Sequence, residues 1–140
     1  MNQVAVTALA RWGLVPLRVV VGVVFLMHGG QKLFVYGFGG TAGAMAQMGI
    51  PLPELSAIVV SLVEFFGGLA IFLGLFTRWA APLLAIDMAV AILAVRLPGG
   101  FFAPSGFELE LTLFAAALTL AALGSGGMSV DQVLERRKAG

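Results

Sequence analysis

The sequence predicts an all-α integral membrane protein, a four-helix bundle with both termini cytoplasmic. Three observations predict it. Hydrophobic residues make up 60% of the chain and charged residues 11%, and the mean hydropathy is +1.04. Soluble domains are about 45–50% apolar and about 25% charged. Apolar stretches, each near the roughly 20 residues that cross a bilayer as a helix, alternate with breaks rich in Gly and Pro. With four crossings, one side of the membrane carries Arg11, Arg78, Arg136, Arg137 and Lys138, and the other carries Lys32 and Arg96. An excess of Lys and Arg marks the cytoplasmic side. At 140 residues the chain reads as a single membrane domain, residues 1–140.

The first crossing is expected at 14–36, with Pro16 in its first turn, where a missing N–H costs nothing. Arg11 and Trp12 precede it, a basic-then-aromatic interface. The apolar run is longer than the roughly 7–15-residue core of a signal peptide, and no A-x-A site follows, so cleavage is not expected. Residues 37–53 form a Gly- and Pro-rich connector. It reads either as an irregular loop or as a short turn capped by Thr41 and closed by Gly49. The second crossing is expected at 55–76, opened by Pro53 and Glu54. Thr77 and Arg78 turn the chain into the third, at 79–97, which Pro98-Gly99-Gly100 ends. The fourth is expected at 107–123, with Glu108 and Glu110 in its first turn. A short cytoplasmic helix at 129–138 follows, N-capped by Ser129 with Gln132 three residues on.

The spans contain groups that hydrocarbon does not solvate, and these need partners on other segments or a wet cavity. A rise of about 1.5 Å per residue gives their depths. Arg18 and Asp87 fall in the inner half and are expected to form a structural ion pair. His28 and Glu64 fall deeper and are the candidate catalytic residues. Gln31, Lys32, Glu108 and Glu110 join them in an outer polar pocket as candidate ligand-binding residues, and Arg96 lies near the same surface. An imidazole exchanges protons near neutral pH, so His28 beside Glu64 suits hydrogen bonding or proton transfer to a quinone carbonyl. On the fourth helix, Glu108, Thr112, Ala115 and Thr119 share a stripe expected to face the bundle. Gly22, Gly29, Gly67 and Gly68 permit close helix approach.

The formal net charge of +1 leaves no electrostatic footprint for nucleic acid. With no cysteine and a single histidine, disulfides and thiolate centres are excluded, and no stable zinc or haem site is expected. No metal and no covalently bound cofactor is therefore expected.

Several pieces of the chain together resemble the DoxX family of small bacterial inner-membrane proteins. They are LRVVVGVVFLMHGGQKLF (17–34), MGIPLPE (48–54), VEFFGGLAIFLGLFTRWAA (63–81), the Gly106-Phe107-Glu108 that opens the fourth helix, and GSGGMSVD (124–131). Gly126 stands where the family pattern tends to have Pro. The resemblance implies a four-helix plasma-membrane bundle placed beside redox enzymes, with links to quinone-coupled oxidation. Its recurrent positions fall here on Arg18, His28, Gln31, Lys32, Glu64, Gly67, Gly68 and Arg78.

Two functions are therefore expected to compete. One is a redox-associated membrane subunit that binds a quinone and works with a partner oxidoreductase. The alternative is a non-catalytic anchor or scaffold module, assembled with a partner or as a homo-oligomer through its glycine faces. Alternating-access transport is the weaker third, because four short helices without repeats suit it poorly.

Overall fold

The computed structural model describes residues 3–138 and 140, and among these every regular element is helical. α1 runs Gln3–Gly30, α2 Gly37–Gln47, α3 Pro53–Leu73, α4 Thr77–Ala91, α5 Glu108–Leu123 and α6 Val130–Lys138. π-helical segments extend α1 through Gln31–Tyr36 and α4 through Ile92–Arg96. Three helical stretches are long and apolar enough to cross a membrane: Gln3–Gln47, Pro53–Leu73 and Thr77–Gly99. α5, at 16 residues, is shorter. The helices pack as a closed set, α1 on α3, α3 on α4, α4 on α5 and α5 back on α1, while α2 lies on α3.

α1 begins well before Leu14, so Pro16 lies inside the helix rather than in its first turn. Nothing between Gln3 and Trp12 breaks a helix, and Thr7 bonds back to the Gln3 carbonyl at 2.8 Å. The connector is neither a loop nor a turn capped by Thr41. Its first eleven residues belong to α2, and the break falls at Gly37, whose φ of +66° suits glycine. Thr41 is buried instead, with its hydroxyl donating to the Lys32 carbonyl at 3.4 Å. α2 thereby folds back over α3.

α1 and α3 run antiparallel at close range because glycines remove the side chains between them. Gly22 lies against the backbone of Phe72, Gly29 against that of Phe65, and Gly68 against that of Leu26. Gly67 faces Leu84 of α4. These faces are internal, so they are not available to a partner. Phe25, Ile71, Leu84 and Leu120 fill the centre.

On α5 the expected polar stripe points outward. Thr112 and Thr119 are exposed and bond to their own helix, to the carbonyls of Glu108 and Ala115 at 2.8 and 2.9 Å. A hydroxyl satisfied four residues back on its own helix has no need of burial. The buried stripe is Glu110, Leu113, Ala117 and Leu120.

The C-terminal segment closes one end of the bundle. Ser129 accepts the Gln132 N–H at 3.2 Å, as its expected N-cap role requires. Asp131 then accepts the N–H groups of Phe76 and Thr77 at 2.7 and 3.0 Å, so α6 caps α4. Gly127 donates to the Arg11 carbonyl at 3.0 Å.

Candidate functional site

A cavity of about 320 Å3 lies where the π-helical ends of α1 and α4 meet α3 and the start of α5. Lys32 and Glu64 meet in it at 2.5 Å. Arg96 and Glu110 meet at its rim at 2.8 Å. These are the two ion pairs among the described residues, and both line this space. Asp87 also lines the cavity, within electrostatic reach of Glu64 and Lys32. Three acids therefore converge on two bases. Met45, Met48 and Ile50, from α2 and the residues after it, roof the cavity.

Local structure explains the aim of the two cations. Both Lys32 and Arg96 sit in π-helical turns. A π turn carries an extra residue, which turns the following side chains relative to a regular α-helix, and such turns recur at functional sites. Arg96 is held further by the Pro104 carbonyl at 3.1 Å. Among the described residues, the buried oxygens Asp87 Oδ2 and Glu110 Oε2 have no donor in hydrogen-bond contact. Low-dielectric surroundings make an unmet polar atom costly, so these oxygens favour a ligand or a water.

The expected site residues divide between the cavity and its margins. Lys32, Glu64 and Glu110 come together. His28 is exposed and stands between the cavity and a shallow apolar groove on the outer face, walled by Leu26, Phe34, Phe65 and Leu69. Gln31 is exposed and faces that groove, not the cavity. Glu108 turns away to the preceding loop and accepts the Ala103 N–H at 2.8 Å. The placement of Asp87 and Arg96 in the cavity was not expected. Their signal was present in the sequence: Arg96 shares the outer level with Glu110, and Asp87 falls within about two turns of Glu64 in depth.

The expected Arg18–Asp87 ion pair does not form. Arg18 is 3% exposed and donates from Nη2 to the Met128 carbonyl at 3.0 Å, within electrostatic reach of Asp131. The C-terminal segment folds over that end of α1 and reaches Arg18 first, while Asp87 faces Glu64 instead.

The DoxX family profile matches residues 13–97 of the chain. The chain is 33% identical over 127 residues to the Bacillus subtilis protein named "Putative oxidoreductase CatD", covering 90% of each chain. It is 36% identical over 132 residues to the "Uncharacterized membrane protein Rv3486" of Mycobacterium tuberculosis, covering 86% of this chain and 80% of the relative. It is 31% identical over 121 residues to the "Inner membrane protein YphA" of Escherichia coli, covering 82% and 85%. No solved structure matches it. The apolar helices agree with these relatives, and the chain is a multi-pass bacterial inner-membrane protein that belongs to the DoxX family.

Proposed function

We propose that the chain is a redox-associated membrane subunit that binds a quinone at the Lys32–Glu64–Asp87 cavity and moves protons to or from it. In this reading α1, α3, α4 and α5 each cross the bilayer, both termini are cytoplasmic, and a partner oxidoreductase supplies the electrons. The observation that carries the reading is the position of His28, which borders both the charged cavity and the apolar outer groove. A ligand with a polar ring and an apolar tail needs such a junction.

The donor set fits such a ring. Quinone carbonyls accept hydrogen bonds, and the Lys32 ammonium has donors beyond the one given to Glu64. The ring N–H of His28 is a further donor. The hydroxyls of the reduced form need acceptors, and Asp87 Oδ2 and Glu110 Oε2 are open. When bound, a quinone takes up two electrons and two protons. The chain's own share is the protons, and Glu64 and Asp87, which both line the cavity, are the carboxylates placed to relay them. The chain contains no cysteine, so the electron donor belongs to the partner. One relative's name, "Putative oxidoreductase CatD", agrees with this class of chemistry. The anchor reading loses its main support, because Gly22, Gly29 and Gly68 are buried in α1–α3 packing.

Quinone binding to the purified protein tests the proposal. Affinity should fall about tenfold or more in Glu64→Gln and His28→Ala, the loss expected for a polar contact removed from a dry site. Unchanged binding in both variants would overturn it.

A further inference from the structure

The end of the bundle that carries both ends of the chain holds a second cleft, of about 440 Å3. Its wall includes Arg11 of α1, Thr77, Arg78 and Trp79 at the start of α4, and Glu135 and Lys138 of α6. The cations reach it from three separate elements. Among the described residues none of the three forms an ion pair, whereas Lys32 and Arg96 both do. Asp131 also borders the cleft, but its two oxygens are engaged by Phe76 and Thr77. Asp131 and Glu135 together leave the three bases in excess by one, and only Glu135 has its oxygens uncommitted among the described residues.

Two further features point to a ligand. Thr77, a lining residue of the cleft, is fully buried, and its Oγ1 has no hydrogen-bond partner among the described residues. A buried hydroxyl without a partner is costly unless something else meets it. The Arg78 guanidinium lies across Gly124, where a Cβ would stand 3.6 Å from Nε. It is thus presented over bare backbone, with its fork of donors free. A guanidinium fork, two further cations and a hydroxyl match the oxygens of a phosphate group.

The cleft lies at headgroup level. Trp79 on its rim is 78% exposed and Trp12 nearby is 59% exposed, and exposed Trp marks the membrane–water interface. Leu14, Phe76 and Leu123 give it apolar walls. We infer that this cleft binds the phosphate of an anionic glycerophospholipid headgroup. The inference stands apart from quinone binding and survives its failure.

The experiment uses the full chain in phosphatidylcholine nanodiscs containing a minor fraction of brominated phosphatidylglycerol, with quenching of Trp fluorescence as the readout. Brominated phosphatidylglycerol should quench more than brominated phosphatidylcholine at equal mole fraction. Each of Arg78→Gln, Arg11→Gln and Lys138→Gln should weaken that preference about fivefold, the effect of one cation near an anionic surface. Thr77→Val should weaken it without any change of charge. Arg137→Gln removes the same charge from the same face but not from the cleft, and should leave the preference nearly intact. An equal loss in Arg137→Gln would assign the effect to general surface charge and overturn the site. Relief of quenching by inorganic phosphate at equal concentration would assign a soluble anion and overturn the lipid. If Arg78→Gln does not fold, the peripheral Arg11→Gln and Lys138→Gln still decide the outcome.

Discussion

Lys32 on the π turn of the first helix and Glu64 in the middle of α3 meet 2.5 Å apart, with 21% and 6% of their side-chain surfaces exposed. The contact joins the two helices whose backbones lie closest, just beyond the point where Gly29 abuts Phe65. It places a charge pair at the inner edge of the cavity, where the glycine-packed helices part. Its energetics follow from that position.

Removing one partner of a buried pair leaves a charge without compensation and costs roughly 3–5 kcal/mol. Glu64→Leu should therefore destabilise the protein by roughly 3 kcal/mol, the lower figure because Lys32 retains some exposure, read as a lower thermal midpoint in detergent. The double variant Lys32→Met/Glu64→Leu should recover part of the loss, because an apolar pair replaces the ions while Asp87 is left without its cation. No recovery in the double variant would mean that the pair holds something other than itself in place.

Asp131→Ala removes the acceptor for the first two N–H groups at the start of α4. Loss of an N-cap costs about 1–2 kcal/mol. Hydrogen exchange should quicken at 76–79 and across α6, with little change in α3. Uniform exchange across the whole chain would show that the cap holds more than its own end.

The glycine contacts predict a sharp contrast. A Cβ at Gly68 would enter the backbone of Leu26, whereas one at Gly43 meets nothing within 4 Å. Gly68→Ala should destabilise by about 1–3 kcal/mol through overpacking. Gly43→Ala, in the exposed part of α2, should be neutral or stabilise by up to about 1 kcal/mol. Thermal unfolding of the two variants side by side checks this.

Gly37 turns the chain at a φ of +66°. Gly37→Ala should cost about 1–2 kcal/mol in backbone strain. Because this turn sets α2 over the cavity, the variant should also admit water to Lys32. Faster labelling of Lys32 by an amine-reactive probe is the measurement, and an unchanged rate would show that α2 is held by its contacts with α3 alone.

The sequence by itself determined the membrane class, the apolar helical stretches and the presence of small residues that permit close helix approach. The physical reasons are local. Apolar length and the 1.5 Å rise fix what can cross a bilayer and at what depth each polar residue lies. Ser129 and Gln132 carry their cap in their own spacing. Depth put Lys32, Glu64 and Glu110 in the outer half, and in the structure all three line one cavity. Only the tertiary structure decided rotation about each helix axis and the partner that arrives first. Arg18 and Asp87 are close in depth but face different neighbours, Met128 and Glu64. Gln31 and Glu108 have the right level and the wrong azimuth. The π turns that re-aim Lys32 and Arg96 leave no mark in residue type, because an inserted residue in a helix looks like any other apolar position. Packing between helices, which no single-helix period contains, set the outcome there.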